Sequence, residues 1–228
     1  MQAIDEAAIH TFGIPRLLLM EHAGLAVARV AADRLRTLHG AKPAVMVCCG
    51  SGYNGGDGLA AARHLHRWGI ELSVILAGSA NRLRAEPAIY AAILRRVGVA
   101  VHELGNPADL APIKARLARA ALLVDALLGI GATGPVRDPL RGLIELMNRS
   151  GRPIVSADIP SGLHADTGAV QGIAVRATTT VTFGLPKRGC LRGEGPAHTG
   201  RLLVDSITIP PGVLAGSGLQ GQGGRTRR

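Results

Sequence analysis

At 228 residues the chain can form one large domain, or a domain with a tail, around a sizeable core. Hydrophobic residues make up 47%, yet there are only one Trp, two Tyr and two Phe, so the core must be aliphatic and a base-stacking RNA surface lacks material. The net charge of +10, with all but three of the 26 cations arginine, favours anionic partners, but the arginines are spread along helical segments and cluster only in the terminal GGRTRR, as on a solvated face.

The N-terminal MQAIDEAAIH places acids where a signal peptide has a basic region followed by an apolar one. No apolar run approaches the roughly 20 residues that span a bilayer. Ile14 to Leu38 reads as a helix, with Met20, Gly24, Val27 and Ala31 on one stripe. Seven strand-length runs follow: AVMVCC, ELSVILA, VAVHEL, ALLVDALL, PIVSADI, TTTVTFG and RLLVDSITI. They alternate with helical patterns, the first of which sets Ala61, Leu65 and Trp68 on one face and turns Arg63 and Arg67 away. Near-continuous apolar strands separated by helices imply a mostly parallel sheet covered on both faces. From Pro210 the chain turns to Pro, Gly and Gln, so the expected organisation is one domain over 1–210 and a disordered tail or linker over 211–228. Cys48 and Cys49 are adjacent and Cys190 is distant, which gives neither a disulfide framework nor a metal spacing and suits a reducing cytoplasm.

The segment VMVCCGSGYNGGDGLAAARHL sets five glycines within nine residues, between a strand and a helix. Gly50, Gly52 and Gly55 satisfy G-x-G-x-x-G in the context that a dinucleotide fingerprint requires. A dehydrogenase would also need an acid at the end of the second strand, where this chain has Ala77 and Gly78; Ser79, Arg82 and Arg84 could instead meet a 2′-phosphate. Asp57 is either a helix N-cap or a ligand-facing acid, and Asn54 either a turn residue or a source of an amide oxygen.

Two further strand ends repeat the theme. Asp125 precedes Gly129, Gly131 and Gly134, and Asp158 precedes Pro160, Ser161 and Gly162. Open α/β sheets bind ligands beyond the carboxyl ends of their strands, where strand order reverses. With the three strands side by side, Asn54, Asp125, Asp158 and Ser161 form a hard-oxygen site suited to an alkali or alkaline-earth cation and not to zinc. Ser161 lacks a nucleophile elbow and no glycine run is followed by G-K-[ST]. His64 and His66, two apart on a helix, point in different directions, and the other histidines are isolated.

In the order LLMEHAG, CGSGYNGGDGLAAARHL, VDALLGIGATGPV, ADIPSGLHADTG and TVTFGLPKRGC, the chain resembles the NAD(P)H-hydrate epimerases, the YjeF N-terminal domain family, from about Met1 to Pro210. The resemblance implies a Rossmann-like three-layer α/β/α sandwich. It also implies interconversion of the R and S epimers at C6 of the hydrated nicotinamide ring of NADH or NADPH, and one potassium ion per subunit. By motif, potassium ligands fall on Asn54, Asp125 and Ser161. Substrate segments fall on Tyr53, Asn54, Gly55, Gly56 and Asp57, and on Gly129, Ile130, Gly131, Ala132, Thr133, Gly134 and Pro135, with a further contact at Asp158. Tyr53 stands where the family pattern has Asn, so a bulky ring lines the substrate side. The loop glycines are then expected to clear space for the dinucleotide and its ion. Homodimers, and fusion to or partnership with an NAD(P)H-hydrate dehydratase, are further implications; no membrane or nucleic-acid partner is.

The hydrate carries its hydroxyl beside the ring nitrogen. Protonation and expulsion of that hydroxyl give a planar iminium to which water can return from the other face; ring opening to an aldehyde is a second route. Either needs a proton donor and acceptor within about 3 Å. Asp125 is the expected catalytic residue, with Asp57 or Asp158 second and a purely cation-holding Asp125 as the alternative. Lys187, in FGLPKRG, is expected to meet a phosphate or developing anion. The competing reading is a non-catalytic interaction or RNA-associated scaffold on the same fold.

Overall fold

A computed structural model describes residues 2–38, 44–83 and 85–215. Helix α1 (Gln2–Glu6) runs into a π-helical turn, Ala7–Thr11, and α2 (Arg16–Arg36) follows. Then come β1 (Val45–Cys49), α3 (Tyr53–Arg67), β2 (Leu72–Ala77), α4 (Ala85–Arg96), β3 (Ala100–Leu104) and α5 (Leu110–Arg119). The chain continues through β4 (Leu122–Ala126), α6 (Leu140–Arg149), β5 (Ile154–Ala157), β6 (Thr179–Phe183), α7 (Gly195–Thr199), β7 (Arg201–Asp205) and α8 (Pro211–Ala215). All seven strands read from the sequence are present. They form one fully parallel sheet in the order β3-β2-β1-β4-β5-β6-β7. Of the segment expected as a tail, 211–215 is the short helix α8, and 216–228 lies outside the described residues, as does Arg84.

Strand periodicity divides the core. Val45, Val47 and Cys49 of β1 join the layer formed by α2, α3 and α4, whereas Met46 and Cys48 join the layer of α5 and α6. Both faces are covered, which is why the strands read as unbroken apolar runs. The stripe on α2 is the buried one. At Gly24 a Cβ would lie 2.4 Å from the Cβ of Ala60, so glycine lets α2 and α3 touch backbone to backbone. On α3, Ala61 and Leu65 are buried as expected, but Trp68 is 38% exposed: the helix stops at Arg67 and Trp68 is its C-cap, off the helical phase. Arg63 does not face solvent alone. It binds Glu21, which also accepts from the Tyr90 hydroxyl (2.8 Å) and contacts His64 Nε2 at 3.0 Å, tying α2, α3 and α4 together. All three cysteines are free and buried; burial, followed by the nearby Asp125 carboxylate, pushes the Cys48 thiol up and leaves it unreactive.

Among the described residues, no helix is long and apolar enough to cross a membrane.

Candidate functional site at the switch point of the sheet

After β1 the chain builds outward through β2 and β3, then returns to the other side of β1 as β4. That reversal leaves a crevice beyond the carboxyl ends of β1, β4 and β5. Its volume is about 670 Å³, and its walls come from α1, the start of α2, the β1–α3 loop and the loops after β4, β5 and β6.

The glycine loop builds this wall in a way that corrects the expectation. A Cβ on Gly50 would sit 1.9 Å from the Leu127 carbonyl oxygen, and one on Gly55 1.8 Å from the Gly50 carbonyl oxygen. Gly56 would strike Met20, and Gly58 would strike Ala126 and Cys49. These glycines make room for the fold's own backbone and core. Only Gly52 faces open space. Asp57 is the fifth residue of α3, whose N-cap is Gly52, so the capping role is excluded by register.

Asp125 is fully buried and does not line the crevice. Its Oδ1 accepts from Ser161 Oγ (2.6 Å) and Leu127 N–H (3.3 Å); its Oδ2 accepts from Ser156 Oγ (2.8 Å) and Ser161 N–H (2.9 Å). Burial still raises its pKa, against the opposing effect of those bonds. Ser161 Oγ in turn accepts from Leu128 N–H at 2.8 Å. Asn54 Nδ2 donates to the Leu128 carbonyl at 3.1 Å, while Asn54 Oδ1 is buried and has no hydrogen-bond partner among the described residues. Leu128 is thus the hub that joins Asn54, Ser161 and Asp125 into one network, and Gly129 leaves room beside it: a Cβ there would meet Asn54 Cβ at 3.0 Å.

The other side of the crevice carries charge. Asp158 sits just past β5 at φ +65°, a left-handed conformation that Asp tolerates better than most residues. Its Oδ1 accepts from Phe183 N–H (3.1 Å), Thr182 Oγ1 (3.4 Å) and Lys187 Nζ, and Lys187 also donates to the Phe183 carbonyl at 2.8 Å. With Lys187 at 5% exposure and Asp158 at 8%, this is a buried ion pair. Asp57 faces the same space. Among the described residues its carboxylate accepts no hydrogen bond, and burial, with Asp158 and Asp5 adding repulsion against a smaller pull from Lys187, pushes its pKa well above the ordinary range.

Of the sequence-predicted residues, Tyr53, Asn54, Asp57, Asp158 and Lys187 line the crevice, together with Gly129, Ile130, Gly131 and Ala132. Gly55 and Gly56 lie behind its wall, and Thr133, Gly134 and Pro135 fall outside it, past the point where the loop turns away. Asp5 and Arg16 also line it and were not anticipated from the sequence. Burial raises the Asp5 pKa, with Lys187 opposing and Asp158 reinforcing the shift. Periodicity carries no signal for where a five-residue helix docks.

Residues 16–189 match the family described as YjeF-related protein N-terminus. A "Bifunctional NAD(P)H-hydrate repair enzyme Nnr" from Salinibacter ruber is 43% identical over 94% of this chain, and one from Pyrobaculum aerophilum 46% identical over 87%. The chain spans 40% of the first of these relatives and 39% of the second. An "NAD(P)H-hydrate epimerase" from Limosilactobacillus fermentum is 38% identical over 90% of this chain and 92% of its own length. The crystal structure of yeast ynu0 superposes with a TM-score of 0.82 at 26% identity, covering 96% of this chain and 90% of that one. Fold, strand order and sequence agree: the chain belongs to the YjeF-related protein N-terminus family.

Proposed function

We propose that the protein epimerises the R and S forms of hydrated NADH or NADPH at C6 of the nicotinamide ring. The observation that carries this reading is an acid without hydrogen-bond partners, Asp57, facing a crevice of about 670 Å³ beside the Asp158–Lys187 pair and an orphaned amide oxygen. The 38% identity to a relative named NAD(P)H-hydrate epimerase supports it, and nothing comparable favours a non-catalytic scaffold.

Asp57, whose pKa is raised above the ordinary carboxylate range by desolvation and by Asp158 and Asp5, donates its proton to the C6 hydroxyl. The ring-nitrogen lone pair forms the C=N bond as the C–O bond breaks, and water departs. Addition of water to the opposite face of the planar carbon, with its proton returned to the Asp57 carboxylate, inverts the centre and resets the acid. Asp158 is paired with Lys187, so a fixed ion pair flanks the developing cation. Asp125 lies beneath this surface. The geometry supports it as the anchor of Ser161 and of the cation site, and the proton transfer falls to Asp57.

The residues present fit potassium. The donor set is one carboxylate with neutral hard oxygens, Asn54 Oδ1 has no other partner, and among the described residues no group of three or more His, Cys, Asp or Glu could hold a metal ion. Asn54, Ser161 and Asp125 would hold the ion, which would supply a fixed positive charge beside the substrate. A homodimer in the cytoplasm, coupled to an NAD(P)H-hydrate dehydratase, completes the proposal. Incubating one purified epimer with the protein and resolving the two by chromatography tests the activity: the second epimer should accumulate to equilibrium, and a catalysed rate no greater than the uncatalysed one refutes it.

A further inference from the structure

The crevice is electrically divided. Asp5, Asp57 and Asp158 line it, and Lys187, one of its two Lys or Arg residues, is committed to Asp158 and the Phe183 carbonyl. A phosphate placed there would meet carboxylates and, among the described residues, no free cation to offset them. Arg16 is the other cation of the lining. It lies at the first residue of α2, with its guanidinium carbon 4.5 Å from the centroid of the Tyr53 ring, and its carboxylate neighbour is Glu6 at 3.8 Å. The ring supports the guanidinium from one side, and among the described residues no hydrogen bond engages its N–H groups, which suits them to bidentate binding of a phosphate. Tyr53 is 52% exposed, so the stacked pair stands at the mouth of the crevice.

We infer that Arg16, seated on Tyr53, binds a phosphate of the dinucleotide at the mouth, and so orients the ligand with its uncharged reduced ring toward Asp57 and its phosphates outward. This rests on the proposed substrate class and deepens it. Tyr53, which stands where the family pattern has Asn, becomes a support for the arginine and not an obstruction. Glu6 competes for the same guanidinium, at a separation that a closer phosphate oxygen overcomes.

The test is calorimetric titration of the wild type, Arg16→Ala, Arg16→Lys and Tyr53→Ala with ADP-ribose, its 2′-phosphorylated form and reduced nicotinamide riboside, which has no phosphate. Arg16→Ala should weaken ADP-ribose binding about tenfold, the loss of one charge-assisted bidentate contact, and leave the riboside unchanged. Arg16→Lys should recover part of that loss, Tyr53→Ala should reproduce part of it, and the salt dependence of binding should flatten in Arg16→Ala. A tenfold loss confined to the 2′-phosphorylated ligand assigns the contact to the 2′-phosphate; a loss on both assigns it to the pyrophosphate. Equal losses for the riboside and ADP-ribose, or none for either nucleotide, overturn the inference. Arg16-dependent ADP-ribose affinity in a protein without epimerase activity would leave the clamp standing and refute the function; an active epimerase whose affinity ignores Arg16 does the reverse.

Discussion

Replacing Lys187 by Met leaves Asp158 as a charge without its counter-ion. The side chains of the pair are 3% and 11% exposed, so neither partner can turn to water for compensation. In the variant, Asp158 Oδ1 retains only Phe183 N–H at 3.1 Å and Thr182 Oγ1 at 3.4 Å, and the Phe183 carbonyl loses a donor. Breaking a buried pair from one side costs about 3–5 kcal/mol. For a domain of this size each kcal/mol moves Tm by about 2–4 °C, so Lys187→Met should melt about 6–20 °C lower. The companion variant is Asp158→Asn, because Asn keeps the acceptor for Phe183 N–H and tolerates φ +65°. The double variant removes both charges and should recover about 2–3 kcal/mol relative to the sum of the singles. Urea unfolding of the four proteins closes the cycle. A Lys187→Met protein within about 1 kcal/mol of wild type, or a strictly additive double variant, would refute the buried-pair argument.

Asp57→Asn should abolish epimerisation yet raise Tm by about 2–4 °C near neutral pH, as happens when a destabilised functional group is removed. The sign follows from its raised pKa: from the unfolded carboxylate value of about 4 up to the higher folded value, the native state binds the extra proton, so stability falls as pH rises through that window. The Asp57→Asn substitution removes this slope, and wild-type activity should decline at pH above the folded value; a parallel pair of stability–pH curves would contradict the assignment. If the proposed cation site is formed as argued, KCl should raise Tm relative to tetramethylammonium chloride and Asn54→Ala should abolish that increase, whereas Ser161→Ala should also cost about 1–3 kcal/mol in the absence of potassium, since it strips donors and acceptors from Asp125 and Leu128. Gly55→Ala, with its methyl 1.8 Å from the Gly50 carbonyl oxygen, should fail to fold or lose more than about 3 kcal/mol, measured by circular dichroism; a stable variant would show that the β1–α3 wall is looser than described.

Much of the architecture was legible because strands buried on both faces cannot help reading as apolar runs, and Ile14 to Leu38 could not avoid declaring its stripe. That Asn54, Asp125 and Ser161 meet around Leu128 followed from one general property of parallel sheets, that loops at the carboxyl ends share a rim, whereas Asp158, expected in the same oxygen cluster, pairs with Lys187 on the other side of the crevice. Finer distinctions among those residues were not encoded locally. Asp125 and Asp57 look alike in sequence; what separates them is that β4 turns one beneath Ser156 and Ser161, while α3 carries the other into the open crevice. The loop glycines announced a close approach without saying to what, and the answer is the protein's own carbonyls at Gly50 and Gly55 and core side chains at Gly56 and Gly58. Lys187 meets Asp158, and Arg16 meets Tyr53, across sequence separations of 29 and 37 residues. Local periodicity fixes which face a residue takes, but the partner of a charge is chosen by the packing of distant segments, and so only the folded chain decides which carboxylate is paired with a cation, which is raised in pKa by its surroundings and which cation stands at the mouth of the crevice.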